Sequence, residues 1–277
     1  MANSFSVFRR PLVCAFISVA FLTGCDSSTQ TSSGQLTSSK QAVTDNVGHE
    51  SWQQQMDFAI AQVQITDGPF LHAQQTNIKY LMAMDPDRLL APYLREAGLE
   101  PKADNYGNWE SSGLDGHIGG HYLSALSLAW AATGSQEIKQ RLDYMISELS
   151  RAQAATGGYL GGIPNGKAMW EEIKAGKIKA DLFSLNERWV PLYNIDKIFH
   201  GLRDVYQVAG IEKAKTMLLS LGEWMLEVTE NLTDEQIQDM LYSEHGGLNE
   251  VFADMAQISD DPPVSYTHLT LPTILRV

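Results

Sequence analysis

A chain of 277 residues, 44% hydrophobic and 19% charged, holds enough apolar material for one large buried core or two small ones. Its formal net charge of −13 argues against a nucleic-acid partner, because phosphate would meet a net acidic surface. Both cysteines, Cys14 and Cys25, lie in the first 25 residues, so the remainder can form neither a disulfide nor a thiolate metal site.

Residues 1–25 read as a lipoprotein signal peptide. Arg9 and Arg10 give a positive start, and Leu12 to Phe21 an apolar run too short to span a bilayer. It ends in Leu22-Thr23-Gly24-Cys25, which resembles a bacterial lipobox. That resemblance implies lipidation of Cys25 and places the protein at the bacterial cell envelope, with membrane contact through the lipid anchor alone. The alternative is an ordinary cleaved signal with an incidental cysteine. Residues 26–48 are rich in Ser, Thr and Gln and poor in large apolar side chains, so they cannot bury enough surface to order themselves and read as a flexible linker.

From Trp52 the apolar period is helical, and no alternating strand run precedes Asp261. The spacing predicts helices over 52–64, 69–83, 86–97, 117–133, 136–153, 190–209, 211–229, 233–241 and 248–258, so residues 49–262 read as one all-α domain. Asp115 stands where a helix N-cap belongs, Gly134 closes that helix, and Leu123, Leu126 and Trp130 should face a core. Leu126, Trp130 and Gly134 are echoed by Leu202, Tyr206 and Gly210, each pair 76 positions apart. Each glycine is followed by a second amphipathic helix. Repeated helical hairpins bury their faces against neighbouring hairpins, which gives bundles, solenoids or closed α/α toroids.

His117 and His121 project from one face of the first helical turns, beside a loop carrying Trp109, Glu110 and Asp115. That combination points to a polar pocket at the helix's N-terminal end. Such a histidine pair is half of a metal site, but Ile118 stands where a metalloprotease helix has its glutamate. Hydrogen bonding to a polar ligand and a structural role stay open beside metal binding. Trp109, Trp170 and Trp189 fall near predicted loops or helix starts, where an indole either stacks on the C–H face of a sugar or plugs the core. Glu110, Asp115, Glu187, Asp196, Glu244 and Glu250 are the acidic candidates. Glu250 stands out among them because it begins a helix beside Gly246-Gly247.

Laid side by side, these segments resemble the β-L-arabinofuranosidase-type glycoside hydrolases, family 127 and its relative family 146. The resemblance runs over about 58–261. It is carried by Asp67-Gly68-Pro69-Phe70 with Gln74 and Asn77, Tyr80-Leu81, Asp87-Arg88-Leu89-Leu90, Trp109-Glu110 and Gly116-His117-Ile118-Gly119-Gly120-His121-Tyr122. It continues in Trp189-Val190-Pro191-Leu192-Tyr193 with Lys197-Ile198, and in Glu244-His245-Gly246-Gly247-Leu248-Asn249-Glu250. It implies an (α/α)6 toroid, here a partial one, and a hydrolase of the non-reducing-end type acting on arabinose-containing glycans. Gln74, Trp109, His117, His121, Tyr193, Asp196 and Glu250 become its expected sugar contacts. Relatives often place a histidine where this chain has Asp196. The family's acid/base glutamate and its zinc cluster with a nucleophilic cysteine match no residue of this sequence. Zinc is therefore expected in the complete family protein, with no metal ligands, cofactor or catalytic residue assigned here.

After Asp261 the acidic helical pattern stops, and residues 263–277 resemble a translated adapter read-through on a truncated gene. The expectation is a chain that keeps part of a sugar-binding wall and hydrolyses negligibly. The alternatives are a non-catalytic helical-repeat lipoprotein that binds a glycan or a protein, and a toroidal lyase or epimerase using His and Tyr as base and acid.

Overall fold

The computed structural model describes residues 59–244 and 247–259. The signal peptide, the linker, residues 263–277, His245, Gly246 and the start of the expected helix 52–64 lie outside them. Among the described residues that last helix leaves only a 3-10 turn, Ile60–Gln62, and no helix is long and apolar enough to cross a membrane.

The chain is all-α, built of paired helices. α1 (Gly68–Ala83) starts where the Asp67 carboxylate accepts from Gly68 N at 2.7 Å. α2 (Pro86–Glu96) starts where Asp85 accepts from Asp87 N at 2.9 Å. Each has a proline in its first turn, where a missing N–H costs nothing. α3 (His117–Thr133) and α4 (Gln136–Thr156) end on Gly134 and Gly157, both left-handed. α6 (Pro191–Gln207), α7 (Glu212–Thr229), α8 (Asp234–Leu241) and α9 (Leu248–Ser259) follow an insert that contains α5 (Gly166–Lys174).

The hairpins α1/α2, α3/α4 and α6/α7 stack side by side, so α1, α3, α6 and α9 form one row and α2, α4 and α7 a second. This is the stacking of an α/α toroid. α3 and α6 run parallel: His117 meets Tyr193 near their starts, and Leu123 meets Gly201 further along. Their backbones touch. A Cβ on Gly120 would lie 2.2 Å from the Lys197 carbonyl, and one on Gly201 would lie 2.7 Å from Gly120 O. Leu123, Leu126, Ile198, Phe199 and Leu202 fill the seam and are fully buried.

The insert departs from the sequence expectation of helices without strands. Two-residue strands β1 (Ala180–Asp181), β2 (Ser184–Leu185) and β3 (Arg188–Trp189) pair antiparallel in the order β1-β2-β3. Strands this short carry no visible alternation. Their turns place Phe183, Asn186 and Glu187 at φ of 63°, 46° and 65°, with no glycine to signal a hairpin. α5 was unexpected as well. Its first backbone N–H groups are satisfied from α2, where the Glu96 carboxylate accepts from Asn165 N and Gly166 N at 2.9 and 3.1 Å. Asn165 stands at its N-cap but in the left-handed region, at φ 56°, and its side chain makes no capping bond. Trp170, expected near a loop, is instead a core side chain of α5, edge-on to Trp224 with centroids 5.7 Å apart.

Candidate functional site

The starts of α3 and α6 lie at the same end of the seam, and a glutamate from elsewhere in the chain caps each. Glu110 accepts from Gly116 N and Ile118 N, both at 2.9 Å. Glu244, 51 residues beyond Tyr193 in the chain, accepts from Leu192 N at 2.6 Å and Tyr193 N at 3.1 Å. Negative charge is favourable at both helix starts. Asp115 is not the cap that the sequence suggested. Gly116 takes that position at φ 92°, and Asp115 turns away to accept from Gly113 N at 3.1 Å and from Arg95 at 2.9 Å. Only Glu110, held deeper in the loop, reaches the orphan N–H groups.

Glu110 also fixes the first histidine. His117 Nδ1 lies 2.7 Å from Glu110 Oε1 and 2.8 Å from Leu114 O. A carbonyl only accepts, so Nδ1 carries a proton, and Nε2 has no partner among the described residues. Burial pushes the His117 pKa down, but Glu110 and Leu114 O outweigh it and hold the ring above its ordinary value. With Nδ1 protonated, Nε2 accepts in the neutral ring and donates once the ring takes up its second proton, a state the raised pKa favours. His121 behaves oppositely. Burial lowers it first and the charges of Lys197 and His117 add to that, so it stays neutral and able to accept.

Three rings close the cluster. His117 and His121 stand 6.3 Å apart, and Tyr193 lies 6.0 Å from the first and 6.4 Å from the second. The Tyr193 hydroxyl is 3.3 Å from His121 Nε2, and Lys197 Nζ sits 4.5 Å over the Tyr193 ring. His121 is exposed on a helix whose other residues are nearly all buried or half-buried.

Behind the rings α6 carries a charge ladder. Asp196 is fully buried, with Oδ2 at 2.7 Å from Lys197 Nζ. His200 Nδ1 bonds the Asp196 backbone carbonyl at 3.0 Å, and Asp196 Oδ1 lies equally close but without hydrogen-bond geometry. Burial raises the Asp196 pKa, yet His200 and Lys197 outweigh it and the group is held below its ordinary value. His200 is correspondingly raised, Asp196 overcoming the burial that lowers it. Glu250 on α9 is exposed and completes the ladder, 2.9 Å from Arg203 Nη1 and 3.8 Å from His200 Nε2.

Of the residues expected from the sequence, His117, His121 and Tyr193 come together, and Asp196 and Glu250 stand behind them through Lys197, His200 and Arg203. Trp109 lies in the turn Asn108–Ser111 that precedes α3, its ring 6.4 Å from Trp189 at 88°. Gln74 is half-buried on α1 and no hydrogen bond among the described residues joins it to the cluster. The sequence reading missed the capping roles of Glu110 and Glu244, and it missed His200. The four-residue spacing of Asp196 and His200 on a helix was the available signal for the last. Among the described residues no group of three or more His, Cys, Asp and Glu side chains is placed to hold a metal ion. The zinc implied by the resemblance does not fit them, and no step is derived through it. A cleft of about 530 Å³ lies elsewhere, between α5 and the β2–β3 turn, lined by Lys177, Lys179, Glu187 and Arg188 among others.

Glu244 gives the site a pH signature. Burial pushes its carboxyl up to about 7, against two backbone donors that lower it and with Asp196 adding to the rise. Its folded value lies above the roughly 4.3 of an unfolded glutamate. The stability it contributes is thus complete below that value and lost as pH rises through about 7. Urea unfolding is expected to show stability falling by on the order of 2–3 kcal/mol between pH 5 and 8, with Glu244→Gln removing most of the slope. His117 and His200, both raised, leave a residual slope of the same sign. An unchanged slope in the variant would contradict the assignment.

No curated protein matches the chain. The family model described as the β-L-arabinofuranosidase, GH127 catalytic domain matches residues 62–269, the span that contains both capped helices and the whole histidine–tyrosine cluster, and the chain belongs to that glycoside hydrolase family.

Proposed function

We propose that the cluster on α3 and α6 binds a terminal arabinofuranose of an arabinose-containing glycan, the recognition half of a β-L-arabinofuranosidase-type hydrolase. The observation that carries this reading is the triangle of His117, His121 and Tyr193, with ring centroids 6.0–6.4 Å apart at the joined starts of two parallel helices. A furanose presents several hydroxyls, each both donor and acceptor. His117 offers Nε2, an acceptor in the neutral ring and a donor in the protonated one, His121 an acceptor, and Tyr193 a hydroxyl that serves either way. Glu110 and the Asp196–Lys197–His200 ladder hold these groups in place and need not touch sugar. Glu250 and Trp109 lie at the exposed margin, and Gln74 is assigned to a more distant part of the wall.

Recognition, not bond cleavage, is assigned to these residues. The acid/base, the nucleophile and the zinc of the complete family protein are assigned to none of them. In this reading a lipid on Cys25 holds the protein at the bacterial cell envelope, an assignment that rests on the sequence of residues 1–25.

Calorimetry with methyl β-L-arabinofuranoside tests the wall. His121→Ala is expected to lower affinity about tenfold, the worth of one good hydrogen bond. Its stability should change by no more than about 0.5 kcal/mol, because the side chain is exposed. Equal affinity in variant and wild type would overturn the reading, and release of L-arabinose by the wild-type chain would overturn the division of labour.

A further inference from the structure

Two tryptophans remain to be explained. Trp109 is 63% exposed and Trp189 39%; Phe70, Tyr80, Phe183 and Tyr242 are exposed too, but among the described residues only the two tryptophans of this set meet ring to ring. Two indoles side by side make a contiguous apolar patch, the kind of surface that marks a ligand or partner contact more often than a single exposed ring does. The two indoles do not fully cover each other. They meet edge to face at 88° with centroids 6.4 Å apart, an arrangement that leaves each ring at least one face free of its partner.

The backbone that presents them is tied down. Trp109 lies in the 3-10 turn Asn108–Ser111, and its carbonyl accepts from Leu114 N at 3.1 Å. The next residue, Glu110, is buried against the start of α3, and the Asn105 amide donates to its carbonyl. Trp189 belongs to β3, paired with Ser184, and Gly113 packs beneath it: a Cβ there would lie 3.7 Å from Trp189 Cβ. Rings on anchored backbone lose little freedom when a ligand lands on them, which favours binding.

Their position names the ligand. Glu110, the residue after Trp109, accepts from Gly116 N and Ile118 N at the start of α3, and Trp189 lies two residues before the start of α6, so the backbone of both stands at the end that carries the cluster. An indole face suits the C–H face of a sugar ring and gives little to its hydroxyls. The cluster reads hydroxyls and the indoles read a ring face.

We propose that Trp109 and Trp189 form a stacking platform for the sugar unit adjoining the furanose held by His117, His121 and Tyr193, so that the site selects a glycan end over a free monosaccharide. The inference rests on the sugar-binding reading of the cluster, and the experiment separates the two. Calorimetry on the full chain compares methyl β-L-arabinofuranoside with a β-L-arabinofuranosyl disaccharide, in wild type and in the Trp109→Ala, Trp189→Ala and His121→Ala variants.

The wild type is expected to bind the disaccharide about tenfold more tightly than the monosaccharide. Each tryptophan variant should bring that ratio close to one while leaving monosaccharide affinity within about twofold, and His121→Ala should weaken both ligands. Unfolding curves confirm that the variants fold. A wild type without preference for the disaccharide would overturn the platform, as would a preference that survives in either tryptophan variant. Disaccharide binding that needs the tryptophans but not His121 would keep the platform and overturn the wall. No binding of either ligand would overturn both.

Discussion

Gly120→Ala is expected to cost about 3 kcal/mol or more, a large share of the roughly 5–15 kcal/mol that holds a domain folded. The new methyl would lie 2.2 Å from both the carbon and the oxygen of the Lys197 carbonyl and 2.7 Å from Ile198 N. These are backbone atoms of a helix interior, so no rotamer change relieves the clash. α3 and α6 would have to part, opening the seam packed by Leu123, Leu126, Ile198 and Leu202. Gly107→Ala is the contrast. A Cβ at Gly107 meets nothing within 4 Å, and its φ of −78° suits any residue, so the change should stay within about 0.5 kcal/mol. Urea unfolding followed by circular dichroism reads both. A Gly120→Ala variant as stable as Gly107→Ala would show that α3 and α6 do not approach this closely.

Glu110→Ala should cost about 3–5 kcal/mol, because it leaves two helix-start N–H groups without their acceptor and a buried histidine without its counter-charge. The carboxylate serves Gly116 N, Ile118 N and His117 Nδ1 together, all at 2.7–2.9 Å. Glu110→Gln keeps one acceptor oxygen and should cost less. It also makes a separate prediction. With the carboxylate charge gone, burial and the Lys197 charge dominate, and the His117 pKa should fall from above its ordinary value to below it. The stability tied to this pair is complete below the unfolded histidine value, near 6.5, and is lost as pH rises through the raised folded value. The wild type's advantage over Glu110→Gln should therefore be larger at pH 6 than at pH 9. Histidine-ring NMR titration reads the pKa directly, and an unmoved His117 would remove Glu110 from its assigned place.

The paired helices were legible in the sequence because each carries a 3.6-residue apolar period between glycine or proline stops. The 76-position echo of Leu126-Trp130-Gly134 in Leu202-Tyr206-Gly210 marks two equivalent hairpins. The insert was not legible. α5 takes its capping acceptor from Glu96, far away in the chain, and the strands are too short to alternate. The site divides the same way. His117 and His121 share a helix face, so their spacing told of each other, and the family resemblance supplied Tyr193. Glu110 and Glu244 cap helices through contacts that no local pattern announces, and Asp115, next to the helix start, drew the capping role that Glu110 performs.

The position of a bound sugar tests the central claim most directly. A crystal structure of the chain with a β-L-arabinofuranosyl disaccharide should place the terminal furanose within hydrogen-bond distance of His121 Nε2 and the Tyr193 hydroxyl. Sugar density confined to the cleft between α5 and the β2–β3 turn, with the three rings bare, would contradict the account.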